Sequence, residues 1–140
     1  MVSGGVIRLS FPARAEYLIL GRLALAGVAR AVPIPEETLA DLKLAVTEAC
    51  GNVVRHAYNG TDGAVHLTID AQADAITITV EDDGVGLTHD GAGVAGQDEL
   101  GEGGMGLAII EAIADELEVT RAEPHGTVLV FRKSLAGLQA

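Results

Sequence analysis

At 140 residues and a formal charge of −11, with 49% hydrophobic but only 3% aromatic residues, the chain fits one domain, 1–140, around one core of Val, Leu, Ile and Ala. That acidic balance excludes direct nucleic-acid binding, which needs clustered Lys and Arg, and favours a protein partner with basic patches. The single Cys50 cannot close an intramolecular disulfide. With neither a secretory leader nor a membrane-spanning run legible, a reduced, cytoplasmic setting is expected, with no membrane partner.

Val6–Leu9 is expected as a short strand. Ser10 then offers a helix cap and Pro12 a first-turn residue, so a helix is predicted from about Ala13 to Ala31. Apolar residues cover most of its circumference, which calls for packing on more than one side and makes Tyr17–Val32 the candidate dimer surface. Pro33-Ile-Pro35 ends that helix, and Glu36 and Glu37 suit the first turn of the next.

The second helix carries two kinds of information. Leu42, Val46, Ala49 and Val53 recur at steps of four and three, one buried face. Glu48, Asn52 and His56 fall at i, i+4 and i+8 on another. An ordinary polar face would look similar, so this stretch alone leaves a site and a solvated surface equally open.

Beyond the loop Asn59–Gly63, Val65, Leu67 and Ile69 alternate with polar residues, and the period returns at Ile76, Ile78 and Val80. This is a hairpin of half-buried strands. A loop of about twenty residues begins at Asp82-Asp-Gly84-Val-Gly86 and closes at Gly101-Glu-Gly103-Gly104-Met105-Gly106, a length that is uncommon without function. A helix follows to about Glu116, then strands at Leu117–Arg121 and Thr127–Lys133. The fold class expected is α/β (α+β), a two-layer sandwich with a mixed, mostly antiparallel sheet covered on one face by about three helices.

Gly101–Gly106 formally matches G-x-G-x-x-G, yet no strand precedes it, so the dinucleotide-binding turn is rejected on context. What remains is a glycine-rich helix N-terminus whose free amides suit a phosphate chain. Asp82 can accept the exocyclic amine of a base, and Gly84 and Gly86 let backbone pass close to a flat ring. Asn52 offers a hard oxygen to a magnesium ion otherwise held by phosphate and water.

Glu48 and Asn52 on a helix, Asp82-x-Gly84-x-Gly86 after a strand, Gly103-Gly104-Met105-Gly106 opening a later helix and Thr127 on a late strand together resemble the nucleotide-binding boxes of the GHKL ATP-binding superfamily. Within it, Leu44–Tyr58 and the Gly-Met-Gly-Leu turn are most similar to bacterial anti-sigma-factor serine kinases of the RsbW and SpoIIAB type. The resemblance implies a cytoplasmic, usually dimeric switch protein using ATP and Mg2+. It would hold a sigma factor, or phosphorylate a serine on an anti-sigma-factor antagonist. By the same resemblance Glu48 is the catalytic base, Asn52 the magnesium ligand, Asp82 the adenine contact and Thr127 its support. Gly84, Gly86, Gly103, Gly104, Met105 and Gly106 shape the nucleotide pocket and lid. The chain departs from some relatives at Glu102, an acid where they carry a basic or hydroxyl residue. An ATP-binding, sequestering regulator without kinase activity is therefore the alternative. The ATP-binding half of a histidine kinase would need a helical hairpin with an acceptor histidine, and a gyrase-like ATPase a transducer domain, for which the chain has no room.

His56 is expected to brace Asn52, Glu81 and Asp83 to be solvated, and His66, His89 and His125 to be unrelated to any metal. The acid-rich segment from Thr88 to Glu102 is expected to move on nucleotide binding.

Overall fold

The computed structural model describes residues 4–58, 62–84, 103–122 and 125–135, with side chains in the last helix described from Gly106 onward. The elements in chain order are β1 (Gly5–Pro12), a 3-10 turn (Ala15–Tyr17), α1 (Ile19–Val28) and α2 (Glu36–Asn52), which runs on as a π-helical segment (Val53–Ala57). Then come β2 (Ala64–Ala71), β3 (Ala75–Asp82), α3 (Gly103–Ile113), β4 (Glu116–Arg121) and β5 (Thr127–Ser134).

The strands form one sheet in the order β1-β2-β3-β5-β4. Each neighbouring pair is antiparallel, so nothing in the described sheet is mixed at the level of hydrogen-bonded neighbours. Because β5 lies between β3 and β4, the chain passes from β3 through α3 to β4 as a split crossover. β3 ends at Asp82 beside Thr127, and β4, parallel to it, starts at Glu116 beside Arg132 at the opposite end of the sheet.

Alternation decides which face is core. On β2, Val65, Leu67, Ile69 and Ala71 are buried, while the residues between them are half-buried. On β3 the inward series is Ile76, Ile78, Val80 and then Asp82, so strand parity alone turns a carboxylate toward the helices. Both phenylalanines of the chain are buried on the inner face, Phe11 on β1 and Phe131 on β5. The helices answer with Leu25 and Val28 from α1, Leu42, Val46 and Ala49 from α2, and Ile110 from α3. The predicted face of α2 is therefore core. Cys50 joins it fully buried, and burial pushes its thiol up to about 12, which leaves it protonated and inert at neutral pH.

Several predicted boundaries differ, among them the end of α1, at Val28 and not Ala31. Ser10-Phe-Pro12 belongs to β1 and does not start a helix. Ile7, Leu9 and Phe11 share the inner face by period two, and the Ser10 hydroxyl lies 2.8 Å from His66 Nδ1 on β2 instead of capping a turn. Pro12 is tolerated because β1 is an edge strand, where a missing N–H leaves no ladder gap. The helix predicted from Ala13 starts only at Ile19. α3 in turn stops at Ile113, where the Asp115 amide donates to Arg132 O and β4 begins. Of the apolar face of α1 opposite the core, Ile19 and Leu23 stand more than half exposed, at 54% and 57%.

Candidate functional site

α2 brings Glu48 and Asn52 to its surface one turn apart, and α3 packs against that surface at its own start. The position a Cβ would take on Gly106 lies 3.0 Å from Glu48 Oε1 and 3.4 Å from Asn52 Oδ1. Both oxygens thus converge on the first turn of α3, where Gly103, Gly104 and Met105 also lie. The amides of a first helical turn have no intrahelical acceptor and face outward with partial positive charge. A carboxylate, a carboxamide and a row of free amides meeting at one point suit a polyphosphate with a cation.

Asp82, Gly84 and Thr127 form a second cluster at the sheet end. Asp82 and Thr127 are register partners on β3 and β5. Gly126, just before Thr127, has φ +111, a left-handed conformation, and a Cβ there would collide with the Asp82 carbonyl. Glycine is thus required twice over at this position, which brings β5 flush against the Asp82 backbone. Asp82 is only 5% exposed. Burial raises its carboxyl pKa above the ordinary value. Backbone N–H groups of Gly84 and Thr127 pull it partly back, and the first of these reaches Asp82 Oδ1 at 2.9 Å. Neighbouring Asp83 adds to the rise and His66 opposes it.

The π-helical segment joins the two clusters. It begins directly after Asn52, and its last residue touches the turn after Asp82: a Cβ on Gly84 would overlap the Ala57 carbonyl. The widened turn also ends the straight line expected of Glu48, Asn52 and His56, since a π turn takes more residues per revolution than an α turn. His56 is half-buried within it. The side chain found holding the Asn52 carboxamide is instead Arg55, whose Nη2 donates to Asn52 Oδ1 at 2.8 Å. Arg55 was not singled out from the sequence, although its i+3 spacing from Asn52 is a legible signal.

Asp83 is not simply solvated. Its Oδ2 lies 3.2 Å from His66 Nε2, and its amide donates to Tyr58 Oη at 2.9 Å. Glu81 is exposed, as expected. Gly86 and the stretch Thr88–Glu102, including Glu102 itself, lie outside the described residues, as does His89.

As to metal, Asn52 Oδ1 is a hard oxygen that accepts from Arg55 Nη2 at 2.8 Å through one lone pair and keeps a second for a cation, and it fits Mg2+ that keeps most of its shell as phosphate and water.

Comparison with known proteins places this geometry. The histidine kinase-like ATPase domain family matches residues 11–133. Among curated relatives, the serine-protein kinase RsbW of Bacillus velezensis is 36% identical over 140 residues, covering 94% of this chain and 86% of that protein. RsbW of Oceanobacillus iheyensis is 33% identical over 142 residues, covering 93% and 87%. Among solved structures, one of the RsbU and RsbW domains of a Mycobacterium tuberculosis protein superposes with a TM-score of 0.67 at 19% identity. It covers 92% of this chain and 32% of that chain, and speaks for the fold alone. The histidine kinase domain of a blue-light activated kinase from Erythrobacter litoralis gives 0.59 at 27% identity, over 89% of this chain and 62% of that one. The match over most of its length, on a sheet and helices of the same architecture, shows that this chain belongs to the histidine kinase-like ATPase domain family, among relatives of the RsbW type.

Proposed function

We propose that the protein is an ATP-dependent serine kinase and anti-sigma factor. It sequesters a sigma factor and, in exchange, phosphorylates a serine on an anti-sigma-factor antagonist. The observation that carries the reading is the approach of Glu48 and Asn52 to the first turn of α3. It supports reading Glu48 as a proton acceptor and Asn52 as a metal ligand beside phosphate-binding amides.

In this reading Asp82 accepts the N6 amine of adenine, and Thr127, paired with it across the sheet, supports that contact. Burial raises the pKa of Asp82 even though the Gly84 and Thr127 amides donate to it, and a further donor such as the base amine would favour the ionised form. Gly84 and Gly86 admit the ring, while Gly103, Gly104, Met105 and Gly106 present amides to the phosphates. Asn52 ligates Mg2+, which when bound neutralises charge on the phosphate oxygens. Glu48 accepts the proton of the incoming serine hydroxyl. That role does not demand strong basicity, because phosphoryl transfer depends chiefly on positioning and charge neutralisation.

Glu102 motivates the second reading, a regulator that holds ATP without transferring phosphate. Arg55 weighs against it. The guanidinium at the Asn52 carboxamide brings a permanent positive charge beside the residue read as the metal ligand.

The test is recovery of partners from lysate on immobilised protein with and without ATP, followed by label transfer from γ-labelled ATP to what is recovered. Label appearing on serine of one partner is expected. Recovery of partners with no transfer under any nucleotide condition would favour the sequestering regulator.

A further inference from the structure

We propose that Tyr58 and His66 are positioning residues, which clamp the Asp82–Gly84 turn in the place where it can read the base. This rests on the nucleotide-site reading above and names the device that sets its base preference.

Asp82 is the last residue of β3 and Asp83 follows it, and their side chains lie on opposite faces, since Asp83 meets His66 on the outer side of the sheet. Asp82 turns inward to the site, and Asp83 turns out, with its side chain 72% exposed. An exposed carboxylate and imidazole at 3.2 Å would by themselves contribute little. Two separate ties nevertheless converge on this one residue. Its side chain meets His66 Nε2, and the other ring nitrogen, Nδ1, lies 2.8 Å from Ser10 Oγ, so the ring links β1, β2 and the end of β3. Its amide donates to Tyr58 Oη at 2.9 Å, and that hydroxyl in turn donates to Ala64 O, the first residue of β2, at 2.6 Å.

The residue types suit these positions. A phenol both donates and accepts through one oxygen, as is needed between an N–H and a carbonyl, and phenylalanine would lose both hydrogen bonds. Glu81 is the direct cross-strand partner of His66, yet the ring reaches past it to Asp83. Tyr58 immediately follows the π-helical segment that starts after Asn52, so its hydroxyl ties the metal-and-phosphate helix to the base-reading turn. The same two elements touch where Gly84 lies against the Ala57 carbonyl, with no room for a side chain between them. One clamp therefore sets the distance between the two halves of the site.

The experiment measures ATP and GTP affinity of the full chain and of Tyr58→Phe, His66→Leu and His66→Gln, together with amide hydrogen exchange at Asp83 and Gly84 without nucleotide. Tyr58→Phe is expected to weaken ATP roughly fivefold to tenfold, the scale of one hydrogen bond, while GTP changes little, so that base preference collapses. Exchange at Asp83 should quicken. His66→Leu should weaken ATP in the same selective way. Glutamine, which can accept from Ser10 and donate to Asp83, should restore binding. Unchanged ATP/GTP preference with unchanged exchange in Tyr58→Phe and His66→Leu would overturn the clamp. So would equal loss of both nucleotides, the mark of a general loss of structure. Failure of the wild-type chain to bind ATP would instead overturn the nucleotide reading itself, and base positioning with it.

Discussion

Asp82 carries a stability penalty at the position the proposed function gives to base recognition. Strand parity buries its carboxyl among apolar neighbours, and desolvation outweighs the two amide donors, so its pKa is raised. An acid whose folded pKa lies above its unfolded value makes folding less favourable at pH values above the folded pKa, and the penalty vanishes below the unfolded one. Asp82→Asn should therefore melt higher than wild type at neutral pH. That advantage should shrink as pH falls through the acid range, as thermal scans across pH would record. The same variant should lose ATP affinity by tenfold or more, since an amide presents fewer acceptor sites to the base amine. A lower melting temperature at neutral pH would contradict the burial argument. The placement of Glu48 and Asn52 on one helix face and of Asp82 at a strand end was legible in the sequence, because helix spacing and strand ends are local properties, whereas Thr127 was picked out by the family resemblance. Arg55 carried a local signal in its i+3 spacing from Asn52, but the His66–Asp83 pair carried none. The pair joins residues 17 positions apart through sheet register, and no local period carries that.

Among the elements, the β2–β3 hairpin and the buried face of α2 follow from periodicity, and the structure has both. The start of the chain was misjudged for a physical reason. Ser10-Phe-Pro12 carries the local signature of a helix start, but His66 on β2, 56 positions away, takes the Ser10 hydroxyl, and Phe11 is buried as part of a strand. The π-helical turn after Asn52 was likewise invisible, as no residue there breaks the α pattern. Two glycines at element junctions should respond oppositely to alanine. At Gly84 a methyl group meets the rigid Ala57 carbonyl, so Gly84→Ala should cost about 1–3 kcal/mol in denaturant unfolding. At Gly106 the nearest atom is the end of a flexible Glu48 side chain, 3.0 Å away, and alanine is the better helix former. Gly106→Ala should fold as well as wild type yet displace Glu48, so phosphoryl transfer should fall with ATP affinity largely kept. Loss of stability at Gly106, or none at Gly84, would show that the junctions are not packed as described.

For the whole molecule, Ile19, Leu23 and Leu44 expose apolar surface on the helical layer, at 54%, 57% and 45%. We propose that a homodimer uses the Tyr17–Val32 part of this face. Leu23→Glu should then sediment as a monomer at concentrations where wild type sediments as a dimer, and an unchanged dimer would move the interface elsewhere. No helix among the described residues is long and apolar enough to cross a membrane. What the sandwich achieves as a unit is to bring Glu48 and Asn52 of α2 and Asp82 of β3 to one end of the fold, where the proposed function makes them proton acceptor, metal ligand and base acceptor. The decisive comparison is Glu48→Gln against wild type, with ATP affinity by calorimetry and γ-phosphate transfer to the partner recovered from lysate. Affinity within about twofold and transfer reduced by at least a hundredfold are expected if Glu48 acts only on the serine proton. Undiminished transfer, or affinity lost in step with it, would contradict that assignment.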